Sequence, residues 1–349
     1  MHILVIKLSA IGDVVLTLPA VSALRRSFPD SRITWAVDAK ASAILDGNPT
    51  IDRIIKLDTS KSLGQTVSAF RSARGQLRES SIDIAIDFQG LLKSALVARM
   101  SGAKRRIGFA TNELRESASR FFLTEQIGPA EGGHMIEKNM RLVEAAGAKT
   151  PDKYEFPIVV SSTDDRFVKN RLYAEGITEF VILNPGGGWV TKLWAPERYG
   201  ELAGWLWKNY NLRSVVTYGP GEENLVERVL QSSRKGIAVG IPTTLKQFVA
   251  LARRARLMIT GDTGPMHLAA AVGTPIVAMF GPTAPHRNGP FLPADVTIGR
   301  DVPCRTDCYK RTCNEWICME IPVAEVQRGV EKRLEMLGLM APSPSQMIV

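Results

Sequence analysis

The sequence predicts an α/β protein made of two doubly wound domains, each a parallel sheet covered by helices on both faces, with a ligand cleft between them. Three observations predict it. The chain of 349 residues exceeds what one ordinary core holds and suits two domains of roughly 150 residues each. Apolar runs of strand length alternate with helical patterns, and the whole alternation occurs twice. Several of those runs end in glycine turns, and an open parallel sheet binds its ligands at the carboxyl ends of its strands.

In the first half, strands are expected at residues 2–7, 32–37, 53–57, 82–87 and 106–109, with helices at 14–27, 39–45, 66–79, 91–100 and 134–146. Pro151, Pro157 and the polar run 161–165 then break the pattern, so the linker is placed there. The first domain is therefore residues 1–160 and the second 161–322. The second series has strands at 180–183, 214–218, 237–239, 257–260 and 276–280, with helices at 164–175, 196–209, 222–232, 245–253 and 263–272. Residues 323–349 hold a last helix, 323–337, and a flexible Pro/Ser-rich tail, 341–349.

Hydrophobic residues make up 45% and charged residues 23%, the balance of a soluble globular protein. No apolar run approaches the roughly 20 residues that span a bilayer, and no signal peptide is evident. The expected compartment is the cytoplasm, where Cys304, Cys308, Cys313 and Cys318 stay reduced. A net charge of +9 implies an anionic partner. Residues 1–160 hold 22 Lys and Arg against 17 Asp and Glu, so the excess is spread over both halves. No polybasic tail or nucleic-acid motif is present, which favours an acidic membrane surface or a phosphorylated substrate over nucleic acid.

The most informative stretch is residues 256–283. A strand ends in Gly261, and a helix then starts with Thr263, Gly264 and Pro265. Proline in the first turn loses no needed N–H, glycine lets a ligand approach the backbone, and the helix dipole favours an anion there. That site suits a phosphate. Asp262 can receive a hydroxyl or cap the helix, Thr263 adds a hydroxyl, and His267 lies one turn in, on the face that looks back at the turn. The first strand leads into Lys7-Leu-Ser-Ala-Ile-Gly-Asp13, a glycine loop without the G-x-G-x-x-G dinucleotide fingerprint. Asp13 at a strand end and helix start is either a helix cap or a general base.

Three ordered motifs, residues 5–19, residues 87–94 and the Gly261-Asp-Thr-Gly-Pro-Met-His267 turn, resemble glycosyltransferase family 9, and within it the ADP-heptose:lipopolysaccharide heptosyltransferases. The likeness runs from residue 1 to about 325. It implies a GT-B architecture and an inverting, metal-independent transfer of heptose from ADP-L-glycero-D-manno-heptose to a Kdo-bearing lipid A core. It also implies a peripheral location on the cytoplasmic face of the inner membrane.

The resemblance assigns roles. Asp13 takes the position of the family's base, and Asp262, Thr263, Gly264 and His267 that of its donor-phosphate site. Lys192, in the loop Asn184-Pro-Gly-Gly-Gly-Trp-Val-Thr-Lys192 that includes Gly187 and Gly188, matches a phosphate-contacting lysine; alone it would read as a solvated loop charge. Glu222 matches the acidic residue used on the nucleotide ribose, although it can equally serve its helix terminus, as can Glu223. Beside these, Lys7 and Ser9 flank the acceptor loop, and by their chemistry Arg115 and Arg120 with 104–106 are either receptors for the acceptor's carboxylates and phosphates or solvated surface. Arg71, Arg74 and Arg78 form a basic helix face for acidic lipid.

The spacing Cys304-x3-Cys308-x4-Cys313-x4-Cys318 lacks the C-x-x-C pairs of a zinc ribbon. The resemblance implies a structural role, since a similar cysteine-rich stretch precedes the last helix in some members of the family; metal binding is the alternative, and no metal site is assigned. His2, His134 and His286 are isolated. The alternatives on the same scaffold are a family 9 transferase of another nucleotide-sugar, and a non-catalytic nucleotide or anionic-lipid binder.

Overall fold

The computed structural model describes residues 1–58, 75–77, 81–114, 116–128, 133–304 and 308–340. The basic face of Arg71, Arg74 and Arg78, the acceptor candidate Arg115 and the tail 341–349 lie outside the described residues. Two compact units divide at Val159 and Val160.

The first unit has strands β1 His2–Ile6, β2 Arg32–Asp38, β3 Arg53–Leu57, β4 Ile84–Asp87, β5 Arg105–Phe109 and β6 Glu125–Ile127. The second has β7 Phe180–Asn184, β8 Arg213–Tyr218, β9 Ala238–Pro242, β10 Leu257–Gly261, β11 Ile276–Phe280 and β12 Val296–Gly299. The sheet orders are β3-β2-β1-β4-β5-β6 and β12-β11-β10-β7-β8-β9, and every pairing is parallel. Read from the first strand of each unit, both are the 3-2-1-4-5-6 Rossmann order. The strand order reverses between β1 and β4 in one unit and between β7 and β10 in the other, the two places where such sheets hold ligands. Because β1, β7, β10 and β11 are buried along their whole length, their sequences are continuous apolar runs, with none of the alternation of a half-exposed strand.

The edge strands β6 and β12 are absent from the sequence expectation. Both are short and half-exposed, with Glu-Gln-Ile and Val-Thr-Ile-Gly giving no apolar run. The helix expected at 14–27 is two helices, Ile11–Val15 and Leu18–Ser27. Pro19 explains the break: it lacks the N–H that would bond Val15, and it sits instead in the first turn of the second helix. Asp13 therefore rides on its own five-residue helix. The polar run 161–165 is not a linker loop. Ser161 accepts from the Asp164 amide and caps the helix Ser162–Ala174, whose first turn carries Asp164 and Asp165.

The last helix, Val323–Glu335, packs Val326, Val330 and Leu334 into the second unit's core with Leu183, Leu257, Ile259 and Val277. Gly329 lets it lie against β12, since a Cβ there would stand 2.6 Å from Ile298.

Candidate active site

The β7/β10 reversal in the second unit gathers the phosphate-site candidates. Gly261 ends β10 where a Cβ would come within 2.8 Å of the Lys192 carbonyl oxygen, so only glycine lets the 189–193 loop close on the strand end. The Lys192 ammonium donates to Asp262 Oδ2 at 2.6 Å, and Thr283 Oγ1 donates to the same oxygen at 2.6 Å. His267 Nε2 stands 3.7 Å from Asp262 Oδ1. Burial alone would raise the Asp262 carboxyl, but His267 and Lys192 outweigh it and hold the group well below the usual carboxylate range. Among the described residues, the buried His267 Nδ1 has no hydrogen-bond partner.

Thr263, not Asp262, caps the helix Gly264–Ala271, its hydroxyl accepting from Met266 N. Asp262 is thereby left to hold Lys192. Asn184 Nδ2 reaches Thr260 Oγ1 at 3.3 Å and Thr263 Oγ1 at 3.5 Å, tying the end of β7 to this turn.

Gly187 passes so close that a Cβ would lie 3.1 Å from Thr263 Cγ2, while Gly188 is exposed with open space around it. Glu222 precedes the helix Glu223–Ser232 and folds back, its Oε2 accepting from Gly219 N at 2.9 Å. Glu223 Oε1 accepts from Gly221 N at 3.3 Å, the local role expected of it. A Cβ on Gly186 would stand 2.3 to 2.5 Å from the Glu222 carboxylate, so Gly186 makes room for that group beside the loop. Lys192, Asp262, Thr263, Gly264, His267, Gly187 and Glu222 thus form one neighbourhood.

Two supports escaped the sequence reading. Asn184 and Thr283 are polar residues at strand ends, buried where only a hydrogen-bonded polar group is tolerated. The cysteine-rich segment also braces the lysine loop: Thr191 Oγ1 donates to Lys310 O at 2.7 Å, Trp316 Nε1 donates to Thr191 O at 3.0 Å, and Lys192 and Arg311 both approach the Trp189 ring. Cys304, Cys308 and Cys313 are exposed thiols; Cys318 is half-buried, and burial followed by the neighbouring cysteines pushes its thiol up. Among the described residues, no group of three or more His, Cys, Asp or Glu is placed to hold a metal. A cavity of about 710 Å³ lies beside this loop, lined by Val190, Leu193, Leu225, Trp316 and Met319 among others, and does not include Asp262, Thr263 or His267.

In the first unit, the β1/β4 reversal carries the Asp13 loop. Asp13 is the third residue of its helix, and Ala10 is the cap position; Asp13 Oδ2 accepts from Ala10 N at 3.2 Å. The side chain keeps 23% of its surface exposed, and its Oδ2 lies 3.8 Å from the buried Lys7 ammonium. Lys7 Nζ donates to Phe88 O at 2.8 Å. Gln89 Oε1 accepts from Leu8 N and Ser9 N, both at 3.1 Å, and so sets the loop. Lys7, Ser9 and Asp13 are therefore brought together. Arg120 is exposed and stacks on Phe121. Arg105 and Arg106, grouped with it as anion receptors, are engaged within the unit instead: Arg105 forks onto Glu125 at 2.7 and 2.9 Å, and Arg106 donates to Phe122 O and Ala103 O. They brace β5 and β6.

Asp87, at the end of β4, is fully buried. Its Oδ1 accepts from Gln89 N and Gly90 N and its Oδ2 from Ser94 Oγ, yet burial still pushes its carboxyl up to about 6. Since this lies above the ordinary 3.8, the group favours folding most below about pH 4 and progressively opposes it as pH rises to about 6. Asp87→Asn is expected to gain stability relative to the parent between pH 4 and 7, by up to about 3 kcal/mol for a two-unit shift. Urea unfolding across that range checks it; a pH-independent difference would contradict it.

The family profile for "Glycosyltransferase family 9 (heptosyltransferase)" matches residues 70–317. The chain is 30% identical to "Lipopolysaccharide heptosyltransferase 1" of Pseudomonas aeruginosa over 320 residues, covering 90% of this chain and 87% of that one. Its fold is similar to the family 9 glycosyl transferase of Veillonella parvula, with a TM-score of 0.80 at 24% identity over 96% and 97% of the two chains. It is also similar to the E. coli heptosyltransferase WaaC with ADP, with a TM-score of 0.72 at 23% identity over 96% and 98%. These likenesses agree with the GT-B architecture of two Rossmann-like units expected from the sequence. With its profile covering most of the sequence and such a relative matched across nine-tenths of it, the chain belongs to glycosyltransferase family 9, the heptosyltransferases, and is a glycosyltransferase.

Proposed function

We propose that this enzyme moves heptose from ADP-L-glycero-D-manno-heptose to the Kdo-bearing inner core of lipopolysaccharide, with inversion and without a metal. The names of its relatives support the class of reaction, and the neighbour solved with ADP supports the nucleotide. The match with heptosyltransferase 1 favours a first-heptose acceptor over that of heptosyltransferase II.

The observation that carries the reading is the Lys192–Asp262 pair beside the Thr263-capped helix. An ammonium has three donors, and Asp262 occupies one, leaving two for diphosphate oxygens. As the bond between the anomeric carbon and the phosphate oxygen breaks, Lys192 and the helix-terminal amides take up the negative charge on departing ADP, the stabilisation a metal would otherwise supply. On the acceptor side, Asp13 takes the hydroxyl proton as that oxygen attacks from the opposite face, which inverts the centre. Lys7 keeps Asp13 beside a positive charge, and Ser9 lines the same loop. Glu222 accepts from the ribose hydroxyls, and the membrane supplies the acceptor.

ADP is expected to raise the melting temperature more than UDP does; equal shifts would point to a different nucleotide-sugar. Gly186→Ala, by displacing Glu222, is expected to weaken ADP binding roughly tenfold, as is Glu222→Gln through the loss of charged hydrogen bonds. Calorimetric titration checks both, and unchanged affinity removes Glu222 from the ribose.

A further inference from the structure

One surface of the first unit is left unused by this chemistry. On the helix Leu92–Met100, Leu92, Leu96 and Arg99 are exposed at spacings of four and three, which places them on one face. The 3₁₀ turn Ser117–Phe122 is joined to that helix, Leu92 N donating to Glu116 Oε2 at 2.6 Å. This turn presents Phe121, 74% exposed, with the Arg120 guanidinium over its ring at 4.8 Å. Arg106, near enough to Arg99 for the two charges to repel, bonds the same turn through Phe122 O. Lys104 is exposed at the end of the loop that follows the helix.

Charge is concentrated here. Among the described residues of 92–125, three cations, Arg99, Lys104 and Arg120, are exposed against one exposed carboxylate, Glu116. Leucine and phenylalanine are left in water on the same helix and turn that carry Arg99 and Arg120. Apolar side chains that enter the acyl boundary, ringed by Lys and Arg that meet headgroups, are what an interfacial helix uses to lie on an anionic bilayer.

We propose that the Leu92–Met100 helix and the Phe121 turn form the face by which this protein docks on a bilayer of anionic phospholipid. A second copy of the chain fits the same surface poorly, because a two-fold contact would bring two copies of a net-positive patch together. The proposal deepens the reading of a lipid-borne acceptor but stands on its own observations, and its test needs neither donor nor acceptor.

The full-length protein is sedimented with vesicles of phosphatidylcholine alone and with vesicles in which about a third of the lipid is phosphatidylglycerol. Binding is expected only to the second, and is expected to fall as salt is raised. Arg99→Ala with Lys104→Ala should weaken it by roughly thirtyfold, two surface cations at about a factor of five each. Leu96→Ser with Phe121→Ser should weaken it as well while leaving the melting temperature, and turnover on an acceptor stripped of acyl chains, unchanged. Equal binding to both vesicles, or patch variants that bind like the parent, would overturn the proposal. So would variants whose main effect is to abolish self-association or RNA binding, since the face would then belong to another partner. Absence of transfer by the parent protein, with its vesicle binding intact and weakened in the patch variants, would count against the proposed function and leave the docking face standing.

Discussion

Asp13→Ala is expected to lower turnover by about a thousandfold while ADP binds as before, the middle of the range for removing a positioned general base. The geometry makes this decisive. Asp13 has a structural duty as well, because its Oδ2 accepts from Ala10 N and so ties the start of a five-residue helix. Losing that bond costs about 1 kcal/mol, a shift of roughly 2–4 °C in a unit of this size. A residue that only caps would show the small thermal shift and keep its turnover. A base would lose turnover out of proportion to stability. Asp13→Asn sharpens the comparison, since its amide oxygen can still accept from Ala10 but cannot take a proton at neutral pH. Near-parental turnover in Asp13→Asn would remove Asp13 as the base.

Lys192→Ala should be the second large effect, on both stability and chemistry. It leaves the Asp262 carboxylate, 5% exposed, with Thr283 and His267 but without its cation. Breaking a buried pair from one side costs about 3 kcal/mol or more. The pH dependence has a definite sign. Asp262 is held below its unfolded value, so its stabilising contribution is present above about pH 4 and lost as pH falls through the folded value. The gap between parent and variant should therefore be widest near neutrality and shrink in acid. Turnover should drop by about a hundredfold to a thousandfold through the loss of charge stabilisation on departing ADP. Lys192→Met combined with Asp262→Asn separates the two roles, since a neutral pair restores much of the stability and none of the catalysis. Recovery of turnover along with stability would mean that Lys192 only supports the loop.

The central strands were legible because burial on both faces leaves β1, β7, β10 and β11 as bare apolar runs ended by glycine or a polar turn. Edge strands β6 and β12 were not, since half-exposed strands of three and four residues carry no such signal. Gly261 and Thr263 could be placed at a strand-to-helix turn from local pattern alone. The partnership of Lys192 with Asp262, 70 residues apart, is a product of sheet order and could not be. Arg105 and Arg106 show the converse: as sequence they look like an anion receptor, and the fold spends them on Glu125 and on backbone carbonyls. A charge run does not announce which of its members face solvent. Asp87 and Gln89 stand at the same reversal of strand order as Asp13, and only the topology makes them neighbours of that loop.

The central proposal is that Asp13 serves as the base and that Lys192 carries the charge on departing ADP. The most direct measurement is single-turnover transfer from ADP-L-glycero-D-manno-heptose to Kdo2-lipid A in the presence of a chelator, following ADP release and the mass and anomeric configuration of the product. One heptose added with inverted configuration, undiminished by the chelator and abolished by Asp13→Ala, is the predicted result. No transfer from this donor, a retained configuration, or full activity without Asp13 would contradict it.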